Sequence, residues 1–194
     1  MRILCLIVLL LSGCATLRHS PARYDLGTPK SGGGPPLALT LATIEVRSPS
    51  WLETPLMQYR LAYAQDTRRE AYADSRWVAP PAELVELALQ RRLLTGGAPA
   101  PGCRLVVELD EFVQAFDRPG ESQALLEARA MLLSPRGGSL LARQRFSERQ
   151  PAGADAGSGV AALSITTARL GSDLGTWLDR AADSPGIAAR CRGS

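Results

Sequence analysis

The chain has 194 residues, 45% of them hydrophobic, with 22 Lys and Arg against 19 Asp and Glu for a formal charge of +3. That length supports one domain with a real core and is short for two. A charge so near balance, spread over scattered arginines with Lys30 the sole lysine, describes a mixed solvated surface and argues against a nucleic-acid partner.

The chain opens on Arg2, an apolar run over 3–11 and the sequence Leu11-Ser12-Gly13-Cys14. A basic start, a short apolar segment and small residues before a cysteine form a secretory signal. The run is too short to span a bilayer, which needs roughly 20 apolar residues. Leu11-Ser12-Gly13-Cys14 resembles the lipobox of bacterial lipoproteins. That resemblance implies that the Cys14 thiol takes a diacylglycerol, that residues 1–13 are cut away, and that the new amine is acylated with a fatty acid such as palmitate. The covalent lipid on Cys14 is the one non-protein group expected, and no other cofactor is. A single acyl chain binds a membrane marginally, at about 0.8 kcal/mol per buried CH₂, whereas two or three on one residue hold essentially permanently. Ala15 stands where an Asp would favour retention at the inner membrane, so the expected location is the periplasmic face of the outer membrane.

Of four cysteines, Cys5 leaves with the signal and Cys14 carries lipid, which leaves Cys103 and Cys191. In an oxidising compartment these are a candidate disulfide. The alternative is two unpaired thiols, one of them buried. No metal-ligand spacing occurs.

Residues 14–36 read as the lipidated cysteine and a flexible tether, because Pro29 to Pro36 are dominated by Gly and Pro and cannot build a core. Residues 37–182 read as the folded domain and 183–194 as a weak tail. Leu37, Leu39 and Leu41 alternate with small or polar residues, and Ile44 and Val46 continue on the other parity, so a strand with a bulge near Ala42-Thr43 is expected. Over 56–64, Met57, Tyr59, Leu61 and Tyr63 share one face while Gln58 and Arg60 share the other. A short strand at about 69–73 follows the turn at 65–67. Pro80-Pro81 opens a helix, with Glu83 and Glu86 suited to its positive end, and Gly96-Gly97 stops it. Three long strands, at about 103–115, 122–134 and 139–149, are separated by turns at 117–120 and 134–138 and read as a meander. A final helix over about 158–182 carries Leu163, Thr167, Leu170, Leu174, Trp177 and Leu178 at steps of three and four. Gly171 and Gly175 lie inside it, and each is expected to let it pack closely on a sheet. The expected architecture is single-domain α+β: a largely antiparallel sheet with two helices on one face, in the order β-β-(β)-α-β-β-β-α.

Chemistry is sparse. His19, the one histidine, lies in the tether, where it cannot be held against a nucleophile, so histidine-based triads are excluded. There is no nucleophile elbow and no P-loop. Residues 153–159 are Gly-rich but follow no dinucleotide pattern and read as a loop entering the last helix. Glu108 and Asp110 share a strand face, as an acid-base pair would, but the same alternation places them on the solvent side of Leu105, Val107 and Leu109. No catalytic residue is assigned. Five aromatic residues, Trp51, Tyr59, Tyr63, Tyr72 and Trp77, crowd between 50 and 80, which suits either core filling or a partner surface.

The stretch from Ser48 to Leu61, its sequel Tyr72-Ala73-Asp74-Ser75-Arg76-Trp77, the strand Leu105 to Phe112 and the closing Trp177-Leu178 together resemble the ABC-type transport auxiliary lipoproteins, a family that includes the PqiC-like proteins. Tyr24-Asp25-Leu26 matches the short motif that follows the family's lipobox. The resemblance implies an accessory role beside MCE-type lipid transport systems, with an MCE protein and an ABC transporter as partners, a membrane contact through the acyl chains, and no enzymatic step. Trp51, Leu52, Tyr59, Arg60 and Trp77 are the candidate partner surface or its immediate support. A homo-oligomer is compatible with it. The rival reading is a structural envelope lipoprotein that helps assemble another outer-membrane complex.

Overall fold

Alternating apolar residues from Cys103 to Leu133 build the centre of the molecule. The computed structural model describes residues 20–28, 36–94, 101–135 and 138–192. The signal, Cys14, His19, most of the Gly and Pro run at 29–35 and the Gly96-Gly97 stop lie outside the described residues. Seven strands form one sheet: β1 (Ala22–Tyr24), β2 (Leu41–Arg47), β3 (Leu56–Leu61), β4 (Glu70–Trp77), β5 (Cys103–Arg118), β6 (Glu121–Leu133) and β7 (Leu140–Ala152). The helices are α1 (Ala62–Gln65), α2 (Pro81–Leu93), α3 (Ala156–Ala182) and α4 (Pro185–Cys191), with a 3-10 turn at Ser50–Leu52.

The fold is α+β, and its sheet is mostly antiparallel, as expected, with parallel pairings mixed in. β5, β6 and β7 form the antiparallel meander, whereas β2 and β3 both run parallel to β5 and lie along the same edge of it. β2 pairs with the first half of β5 and β3 with the second half, so the two early strands are not neighbours in the ladder. The cause is α2, which carries the chain back to the end of the sheet where β2 starts. Alternation reveals which face a residue takes but carries no direction, so parallel pairing leaves no trace in it.

Two segments read as open chain are part of the fold. Ala22–Tyr24 pairs in parallel with Ser75–Trp77, and the Val78 N–H donates to the Tyr24 carbonyl at 2.8 Å. Past Ala182, α4 brings Cys191 to Cys103, and the two form a disulfide whose sulfurs are wholly buried. Among the described residues four helices are therefore present where two were expected.

α3 lies against β5, β6 and β7, and α2 lies against β2 and α3. Pro80 precedes α2, with Pro81 in its first turn, where a missing N–H costs nothing. Asp155 caps α3 by accepting from the Ser158 N–H at 2.9 Å, which holds its carboxyl below the usual carboxylate range. Leu170, Leu174 and Leu178 are fully buried on the sheet side of α3. The glycines act differently from expectation. A Cβ at Gly171 would meet Arg92 of α2 at 2.6 Å, and one at Gly175 would sit in ordinary contact. The glycine that lets α3 approach the sheet is Gly159, where a Cβ would lie 2.0 Å from Gln114 Oε1. Gln114 cannot step aside: its amide donates to Ser122 Oγ and to the Gly153 carbonyl, both at 2.8 Å, and its oxygen accepts from Tyr72 Oη at 2.8 Å. Burial, with Tyr59 and Asp155 adding to it, pushes the Tyr72 hydroxyl up to about 12, so it stays a donor through the physiological range.

A bulge decides which residues face the helices. Leu109 opposes Ala128 and Glu111 opposes Glu127, so Asp110 is an extra residue in β5. Before it, Leu105, Val107 and Leu109 face the core; after it, Phe112 and Gln114 do.

Two outcomes follow for stability. G159A should lower it by about 1–3 kcal/mol through overpacking against Gln114, read as a lower Tm, whereas G175A should be neutral or mildly stabilising. Replacing Cys103 and Cys191 by Ser opens a loop of 88 residues' separation and should cost about 4–5 kcal/mol in the loop-entropy account, measured by urea unfolding.

Candidate functional site

The face of the sheet away from the long helices α2 and α3 (the helix-free face) carries a built cluster at the junction of β3, β4 and the β5 bulge. Glu111 is turned onto this face by the extra residue and is only 9% exposed. Arg69 forms a bidentate pair with it at 2.8 and 2.9 Å, and Arg60 Nη2 donates to the same carboxylate at 2.7 Å. Arg60 also donates to the Asp66 carbonyl at 2.9 Å, which closes the turn between β3 and β4. Gln58 joins the two halves of the cluster: its oxygen accepts from Arg69 at 3.1 Å and its amide donates to the Trp51 carbonyl at 2.6 Å. The Arg69 guanidinium lies 5.7 Å from the centre of the Trp51 ring, within cation-π range.

Trp51 sits on the 3-10 turn and is 51% exposed, while its neighbour Leu52 is buried at 1%. The pair works as a hinge pin and a handle. Leu52 plugs the turn into the core, and Trp51 is held outward on an arginine whose charge is already fixed. An exposed indole beside ordered guanidiniums is the composition that dominates protein-protein binding energy.

The five residues expected to mark a partner surface do not lie together. Trp51 and Arg60 share the cluster. Leu52 and Trp77 are buried, Trp77 with its ring 5.5 Å from Phe112, so they support the surface and are not part of it. Tyr59 is on the opposite face, packed on Tyr72 and Phe116. Adjacent residues of a strand point to opposite sides, so Tyr59 and Arg60 cannot serve one surface. Sequence reading missed Arg69 and Glu111. Glu111 had a signal, the switch from odd to even apolar positions between Leu109 and Phe112; Arg69 had none.

Glu108 and Asp110 do share the helix-free face, where Arg129 bridges them at 2.9 and 2.7 Å. Their charges are spent on a guanidinium, which is a surface clamp and not an acid-base pair. Among the described residues no group of three or more His, Cys, Asp or Glu could hold a metal ion.

Residues 24–175 match the family model described as "ABC-type transport auxiliary lipoprotein component". The chain belongs to this auxiliary lipoprotein family. A crystal structure of a protein from Xanthomonas campestris assigned to DUF330 is similar, with 16% identity, 86% of this chain and 97% of that one covered, and a TM-score of 0.67. A second solved structure, of an uncharacterized protein, has 15% identity, 82% and 99% coverage and a TM-score of 0.59. At these identities the likeness concerns the fold. No match was found among curated proteins. The family is an accessory one in ABC-type transport, described as a lipoprotein component, and among the described residues no helix is long and apolar enough to cross a membrane.

E111Q removes the charge that two arginines share in a site with little solvent, and should lower stability by about 1–3 kcal/mol in thermal or urea unfolding. W51A, at an exposed position, should leave stability within about 0.5 kcal/mol of wild type.

Proposed function

We propose that the protein is an outer-membrane lipoprotein, lipidated at Cys14, that docks a small α+β domain on a periplasmic MCE assembly and so couples it to an ABC-driven lipid transport system. The observation that carries the docking is the Trp51 indole, braced on the Arg69–Glu111–Arg60 network and exposed on the face of the sheet away from α3. The family membership supports the transport context.

The position of β1 adds a constraint. Only residues 15–21 separate Cys14 from Ala22, where the chain enters the sheet. Fully extended, that stretch reaches about 25 Å. The domain is therefore held close to the membrane on a short leash, in place of the long tether over 15–36, and its partner must come to it near the bilayer surface.

Affinity capture from detergent extract tests this. The tagged wild type should recover MCE and ABC components, W51A should recover markedly less at equal abundance, and C14S should lose membrane association. Recovery of neither component by the wild type would sink the reading.

A further inference from the structure

The outer edge of β7 is unlike the other edges of the sheet. Along β2, helix α2 covers the edge: Glu86 accepts from the Val46 N–H at 2.8 Å, and Gln90 donates to the Ile44 carbonyl at 3.5 Å. At the far side of the sheet, β1 is 3 residues long. β7 has 13 residues, ends the strand order and, among the described residues, pairs only with β6. Among the described residues a single hydrogen bond reaches its outer side, from Arg169 to the Arg149 carbonyl at 3.1 Å. That carbonyl marks the outward register. Pro151, which has no N–H to give, falls in the same register, as it must if these positions face away from β6.

The outward register coincides with a row of charge. Arg143, Arg145 and Arg149 are exposed on the helix-free face, and successive alternate positions are ~6.8 Å apart. None of the three side chains has a hydrogen bond or ion pair with a described residue. Arg129, opposite Arg145, is spent on Glu108 and Asp110. Glu127, opposite Ser147, lies on this face of β6 and forms no ion pair. A shallow depression of about 360 Å³ lies at the foot of the row, between Arg129, Met131, Arg143 and Arg145. A second copy adding itself along this edge would set arginine against arginine, which is destabilising directly across a ladder.

We propose that the β7 edge is a strand-addition site for an extended acidic segment of a partner protein. The segment pairs its backbone with the outward groups of β7 and sets carboxylates at alternate positions against Arg143, Arg145 and Arg149. Backbone pairing supplies affinity, and the arginine row rejects both basic segments and a second copy.

The test titrates the full-length protein in neutral detergent into a fluorescein-labelled peptide of about nine residues that alternates glutamate with valine, read by anisotropy. Saturable binding is expected, with none for the peptide in which lysine replaces glutamate. Affinity should fall at least about ten-fold, both for the acidic peptide N-methylated at alternate amides and for the R143E/R145E/R149E variant. The variant's thermal midpoint should match wild type; if it does not fold, the N-methylated peptide decides alone. Absence of saturable binding overturns the proposal. So does equal binding of the N-methylated peptide, which would leave charge attraction only, or retention of affinity by the folded variant within about two-fold. A wild-type dimer in sedimentation velocity that the variant loses would also overturn it, by giving the edge to a second copy.

Discussion

Strand β5 carries one residue more than β6 between Leu109 and Glu111, and the two faces of the sheet depend on that extra residue. Without it, the parity of Leu105, Val107 and Leu109 would continue, Glu111 would point into the helices, and Phe112 would point to solvent. With it, Phe112 packs on Trp77, and Gln114 reaches the buried polar site under Gly159. The same step delivers Glu111 to the other face, where it organises Arg60 and Arg69. Core packing and the candidate surface thus share one backbone irregularity, and neither could shift register without losing the other.

β5 is also where the ends of the chain are secured. Cys103 at its start holds α4 through Cys191, and the strands along its edge hold β4, which in turn holds β1. Segments too polar or too rich in Gly and Pro to fold by themselves are ordered by what they attach to. The ladder therefore begins at Ala22, within a stretch that reads by itself as open chain.

The described surfaces carry features suited to recognition. On the helix-free face Glu111, Glu108 and Asp110 are engaged by arginines. What stays available is recognition: an exposed indole on a rigid ion-pair platform, and a long strand edge with unspent guanidiniums beside it.

Much of this was legible in the residues themselves. Alternation located the long strands, proline placed the start of α2, and the order of short motifs matched the family later shown over residues 24–175, while the parity change before Phe112 held an unread trace of the bulge. These are local properties, written in the spacing of side chains along one element. Direction and partnership are not local. That β2 and β3 run parallel to β5, that Ala22–Tyr24 joins a strand some fifty residues on, that Arg69 meets Glu111, and that Tyr59 and Arg60 serve opposite faces were decided by tertiary structure. A ladder is chosen by which backbone groups come within reach once the chain has turned, and periodicity along a strand does not record its neighbour.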